Sequence, residues 1–222
     1  MRAPTDKAPL MRDDVYERIR DDILCCTLQP GSPLHEQALA QRFQVSKSPI
    51  RDALLRLQEQ HLVDVLPRKG YRVRPVSLSD AVELYEMRLL YERECALRAI
   101  DHASDATLAA LDEFRAGPRG RDMPKWIAYN RRFHLAVVAA AGNSRLQRAA
   151  TEVIEQFDRL TYVGVHSDGE ALDVRQFAAE HAAIIDALQA RDRRRAGALI
   201  RAHIEASRKR TLASLAHPVI VP

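Results

Sequence analysis

The sequence predicts a mainly α chain in two parts: three helices with a small β-hairpin, then an all-α antiparallel bundle of about six helices. Three observations carry that prediction. Ala, Leu and Arg dominate the 222 residues, aromatics make up only 5%, and many of the 8 glycines and 11 prolines gather in short clusters, a composition that favours helix. Apolar residues recur with a period of about 3.6 along most of the chain. Only between the third helix and the start of the bundle does the pattern change to short β-prone runs bounded by turn residues.

Taken in order, the first helical pattern begins at Val15 and runs "VYERIRDDILCCTL", stopped by "QPGSP". A short helix, "HEQALAQRF", is followed by "QVS" and then by "KSPIRDALLRLQEQHL". Ser46 is placed to cap this third helix, and Pro49 falls in its first turn, where a missing N–H costs little. "LVDVLP" and "GYRVRPV" then read as a two-stranded hairpin with "PRKG" as a basic tip.

Helix, helix, tight turn, helix and basic hairpin is the order of a winged helix-turn-helix, whose third helix enters the major groove of DNA. Phasing that helix puts Ile50, Ala53, Leu54 and Leu57 on one face and Ser48, Arg51, Asp52 and Arg56 on the other. Arg51 is thereby left able to make the two-pronged contact that guanine offers, with Lys47 and Ser48 near phosphate or base edges. In the wing, Arg68 and Lys69 suit a minor groove or phosphate run, and Gly70 allows close backbone approach. Charge agrees. The net charge is +4, of which residues 1–78 supply +3 (13 Lys+Arg against 10 Asp+Glu), and Arg68, Lys69, Arg72 and Arg74 occur with no acid between Val65 and Ser79.

The stretch "LQPGSPLHEQALAQRFQVSKSPIRDALLRLQEQHLVDVLPRKGYRV" resembles the DNA-binding domain of GntR-family bacterial regulators over residues 12–76. The resemblance rests on the "PG" before the second helix, the "LA..F.VS..P.R.AL..L" core and the wing "RKGYRV". It implies DNA contacts at Gln37, Ser46, Lys47, Ser48, Arg51, Arg68 and Lys69. Lys47 stands where the family more often has arginine, so a point charge replaces a planar fork there.

Domain boundaries follow: the DNA-binding head at 9–76, a linker at 77–79 with Ser77 or Ser79 as a helix cap, a helical domain at 80–212 and a frayed tail at 213–222. The helices of the second part are "DAVELYEMRLLYERECALRAI", "SDATLAALDEF", "KWIAYNRRFHLAVVAAA", "SRLQRAATEVIEQFDRLTYVGV", "ALDVRQFAAEHAAIIDALQA" and, from a cap at Asp192, "RRRAGALIRAHIEASRKRTLASL".

Three of the eight histidines, His134, His181 and His203, fall mid-helix on three different helices among small or aliphatic neighbours. Converging neutral imidazoles would bind a divalent ion such as Zn²⁺, Ni²⁺ or Mn²⁺; spacing by itself favours each as an imidazole without metal. Asn130 lies four residues before His134, on its helix face, where a carboxylate would be the expected second ligand. The other five histidines, His35, His61, His102, His166 and His217, fall near helix ends, loops or the tail and are read as solvent-facing.

Residues 80–212 resemble the FCD effector-binding domain that follows the head in the FadR-like subfamily, through "ELYEMRLLYE", "NRRFHLAVVAAAGNSRL", "EHAAIIDALQARD" and "AHI". The resemblance implies a metal held by a D-x-x-x-H pair plus two later histidines, with a small carboxylate effector beside it. His134, His181 and His203 match the histidines, and Asn130 occupies the aspartate position as a neutral ligand or a vacancy. Three imidazoles and no carboxylate leave a divalent site at +2, so an anionic effector is expected to complete it. Arg88 matches an arginine lining the effector cavity, and pairing with Glu92 one turn on is the alternative. Tyr85, Tyr91 and Tyr162 are further candidate cavity hydroxyls.

The expected function is a transcriptional regulator, most simply a repressor, binding a palindromic operator as a homodimer under control of a small organic acid. The alternative from another class is a metal-dependent enzyme with a nucleic-acid module, but no H-E-x-x-H, nucleophile elbow or phosphate-binding glycine loop is present. Glu180, beside His181, points about 100° away from it on a helix and is no obvious base for it. With no long apolar run, no signal-peptide core and three cysteines that form no disulfide framework, the chain reads as cytoplasmic.

Overall fold

The computed structural model describes residues 12–118, 123–166 and 174–216. They fall into two compact units that divide after Val76.

The first unit contains α1 (Arg12–Leu24), β1 (Pro33–Leu34), α2 (Glu36–Phe43), α3 (Lys47–Glu59), β2 (Val63–Leu66) and β3 (Gly70–Val73). Ile50, Ala53, Leu54 and Leu57 bury the inner face of α3 against Ile19 and Ile23 of α1 and Leu39 and Phe43 of α2. These are the positions that the 3.6-residue phase puts inward. The α2–α3 turn is closed by Gln44 in the left-handed region (φ 58°), whose N–H bonds back into α2. The sheet has one strand more than the sequence predicts. It is a three-stranded antiparallel sheet of order β1-β3-β2, with Pro33 and Leu34 pairing to Arg72 and Tyr71. A two-residue strand is too short to show any alternation, so only its pairing partner reveals it.

The second unit contains α4 (Leu78–His102), α5 (Asp105–Ala109), a 3-10 helix (Ala110–Phe114), α6 (Met123–Ala139), α7 (Ser144–His166), α8 (Val174–Gln189) and α9 (Arg193–Ala216). The residues expected as a linker, 77–79, are instead the cap and first turn of α4, because Ser77 Oγ accepts the Asp80 N–H at 3.0 Å. Asp192 caps α9 through the Arg195 N–H at 2.9 Å. Residues 213–216 are helical rather than frayed, since Ser214 is buried on α9; the rest of the expected tail lies outside the described residues. "SDATLAALDEF" does not stay α-helical: it tightens to 3-10 at Ala110, burying Leu111 and Phe114.

α9 is the hub of this unit, packing on α4, α7 and α8, while α4 also meets α6 and α7. Tyr85 of α4 ties to α9 through hydrogen bonds to Ser207 (2.8 Å) and Thr211 (2.9 Å). Among the described residues, no helix is long and apolar enough to cross a membrane. Cys26 and Cys95 are buried, and burial pushes the Cys95 thiol up to about 12.

Candidate metal centre and DNA-reading face

His134 on α6, His181 on α8 and His203 on α9 meet inside the second unit, all at least nine-tenths buried, with one ring nitrogen of each within 4.8 Å of the others. Ala178 on α8 and Ala196 and Gly197 on α9 are buried, and Gly197 packs against Arg93 and Leu97 of α4. Phe133 stacks on the His181 ring at 3.8 Å and fixes its plane.

The outer nitrogens decide the chemistry. His134 Nδ1 bonds Glu92 Oε2 of α4 at 2.5 Å, and His203 Nδ1 bonds Glu180 Oε2 of α8 at 2.6 Å. His181 Nδ1 bonds the Tyr129 hydroxyl at 3.2 Å, and that hydroxyl donates to the Phe114 carbonyl at 2.6 Å, so it accepts from the imidazole. Each ring therefore carries its proton on Nδ1 and turns an Nε2 lone pair inward. His134 Nε2 and His203 Nε2 stand 3.3 Å apart, and His181 Nε2 is buried without a hydrogen-bond partner.

Burial holds His134 down at about 4 against the opposing pull of Glu92, and burial lowers His181 well below the usual imidazole range. Both rings are neutral near pH 7. For Glu92, burial alone would raise the pKa, but the Arg88 guanidinium and His134 outweigh it and hold the carboxyl at about 2. Glu180 is likewise lowered: burial pushes it up, but the hydrogen bond to His203 together with the His203 and Arg210 charges outweighs that. Three inward lone pairs, one of them orphaned, fit a divalent ion of the Zn²⁺, Ni²⁺ or Mn²⁺ kind. His134, His181 and His203 would hold it, with Glu92, Glu180 and Tyr129 orienting the rings.

The residues expected around this centre divide. Asn130 is half-buried one turn before His134. Arg88 is buried, pairs with Glu92 and lies over the Phe157 ring at 4.5 Å. The pair is enclosed and continues into His134. Sequence reasoning set Glu180 aside because it points away from His181; it turns to His203 across the α8–α9 contact instead. Tyr129 was not singled out, although it lies one helix position before Asn130. His35, His61 and His102 are exposed as expected, whereas the side chains of His166 and His217 lie outside the described residues.

On the first unit, Gln37, Ser46, Lys47, Ser48, Arg51, Arg68, Lys69 and Gly70 are all exposed. Ser46 occupies the α3 cap position, but its hydroxyl makes no capping bond. Arg68 adopts a left-handed backbone (φ 65°) at the wing tip, and Gly70 follows at φ 92°, where a side chain would be strained. Both outward-facing arginines of α3 are paired. Arg51 is held by Glu36, Nε to Oε1 at 2.9 Å and NH2 to Oε2 at 2.8 Å. Arg56 turns back on α1, bonding Asp13 at 2.9 Å and lying over Tyr16. Arg72 is paired across the hairpin with Asp64 at 3.0 Å.

Comparison with known proteins agrees with both units. Residues 11–73 match the bacterial regulatory proteins of the gntR family, and residues 83–206 match the FCD domain. The HTH-type transcriptional regulator BphR of Paraburkholderia xenovorans is 32% identical over 203 residues, covering 86% of this chain and 81% of that protein. The HTH-type transcriptional repressor GlaR of Escherichia coli is 26% identical over 86% of this chain and 91% of its own. The solved structure of E. coli McbR/YncC superposes with a TM-score of 0.77 at 20% identity, covering 90% of this chain and 95% of that one.

Proposed function

The chain belongs to the gntR family of bacterial regulatory proteins and carries an FCD domain, and on that premise we propose that it is a repressor whose grip on its operator is set by a small carboxylate bound beside a divalent metal. That it is a DNA-binding transcriptional regulator, and not an enzyme, follows from the family. Repression, the metal and the effector are our reading, and so is a homodimer on a palindromic operator in the cytoplasm.

One observation carries the metal half of this reading: three buried imidazoles with their Nδ1 protons tied outward and their Nε2 atoms facing one another. A bound divalent ion supplies a positive anchor for an anion. Neutral imidazoles and a neutral Asn130 remove none of its charge, so the inner ligands leave a carboxylate wanted. Arg88 is the proposed second contact for that carboxylate, which would compete with Glu92 for the guanidinium. The DNA half is supported by eight exposed positions on α2, α3 and the wing, with Lys47, Ser48 and Arg51 on α3 aimed at the major groove. Effector and operator affinities would be reciprocally linked through the helical unit. The GlaR relative is a repressor, which favours that sign here.

Calorimetric titration of Zn²⁺ or Ni²⁺, with and without a panel of small carboxylates, tests the site. Tighter metal binding in the presence of one acid, together with loss of a shifted operator band, is the expected result. Equal metal affinity with and without every acid would reject the reading.

A further inference from the structure

We propose that Glu36 is a positioning residue for base readout: it grips one edge of the Arg51 guanidinium and aims the opposite edge at a guanine in each operator half-site. The inference rests on the reading that α3 enters the major groove.

The geometry is specific. A guanidinium has five N–H donors in a rigid plane. Glu36 takes the Nε–H at 2.9 Å and one NH2 hydrogen at 2.8 Å, a two-point grip along the side edge. What remains is both hydrogens of NH1 and one of NH2, and the NH1–NH2 end presents two parallel donors. That pair matches O6 and N7 of guanine. The Arg51 side chain stays 58% exposed while gripped, which leaves it accessible to a base edge.

Both partners are fixed at their roots. Glu36 is the first residue of α2, which is seated by buried Leu39, Ala40 and Phe43; Arg51 stands on α3 between buried Ile50 and Ala53. Two packed helices thus hold a fork that would otherwise sample many rotamers, and a pre-organised fork gives up less entropy on binding. A carboxylate at a phosphate-facing surface weakens binding to every sequence equally. Its presence there is therefore a device for selectivity: it lowers affinity for wrong sites and sharpens the correct one.

The test uses the full-length protein and duplexes selected by it from a random library. Binding is then measured by anisotropy on the selected duplex, on variants with each G·C pair replaced by A·T, and on an unrelated duplex. The wild-type protein should lose about tenfold or more at one guanine per half-site, and Arg51→Ala should lose that discrimination. Glu36→Ala should lose most of it at the same base pair, with Glu36→Gln between. Binding of the unrelated duplex should stay equal or strengthen, with the salt dependence unchanged. Wild-type discrimination in both Glu36 variants would overturn the proposal while leaving the groove reading intact. Tighter operator binding by Glu36→Ala with selectivity kept would also overturn it, making Glu36 a gate. If Arg51→Ala keeps full discrimination, the groove reading of Arg51 fails and this inference with it. Thermal unfolding of each variant by circular dichroism, with Glu36→Gln as the isosteric control, separates these results from loss of fold.

Discussion

His134 Nε2 and His203 Nε2 face each other at 3.3 Å, although 69 residues separate them in the chain. With each Nδ1 proton committed to a glutamate, both Nε2 lone pairs turn to one buried point, where a cation would be held by both rings.

Adding Zn²⁺ or Ni²⁺ should therefore stabilise the protein against heat. A ligand that binds only the folded state contributes about 2.7 kcal/mol at a hundredfold excess over Kd. Differential scanning calorimetry should show the midpoint rising with metal concentration for the wild type. His203→Ala should show no such rise; a rise of the same size would place the ion elsewhere.

The orienting residues should matter less than the ligands but measurably. Glu180→Gln keeps the size of the side chain and removes the carboxylate that holds His203, so metal affinity should fall by about 10–100-fold. Tyr129→Phe deletes the acceptor for His181 Nδ1–H and should cost less, since the Phe133 stack still fixes that ring. Competition with a chromogenic chelator gives both values.

Asn130→Asp restores a carboxylate one turn from His134. It should raise metal affinity measured without any acid present, and shrink the gain that an added carboxylate provides. An unchanged gain would mean that position 130 does not face the ion.

The Glu36 carboxyl should titrate below its ordinary value, because Arg51 hydrogen-bonds and neutralises its charged form. The sign is that of a depressed acid: the pair's contribution is complete above the unfolded value and is lost as pH falls through the folded one. Carbon-detected NMR should show a lowered midpoint in the wild type and a return toward 4.5 in Arg51→Ala.

Much of this was legible in the chain. The 3.6-residue phase placed Ile50, Ala53, Leu54 and Leu57 inward, and all four are buried. The breaks at "GN" and Asp192 fall between helices, whereas α1 ends at Leu24, short of the expected stop at "QPGSP". The β1 strand was not legible, because two residues carry no period. Nor was the true extent of α4, since Ser77 and Ser79 were equal candidates for its cap and only the bond to the Asp80 N–H chooses between them.

At the site, the sequence by itself determined which three histidines lie mid-helix among small neighbours and which arginines stand on the outer face of α3. Both are properties of spacing along one chain. Only the tertiary structure decided the partners: Glu92 behind His134, Glu180 behind His203, Tyr129 behind His181 and Glu36 beside Arg51. Each of these pairs crosses from one helix to another. Helical periodicity fixes the direction of a side chain about its own axis, but not the rotation and offset of the neighbouring helix, which packing of the whole core sets.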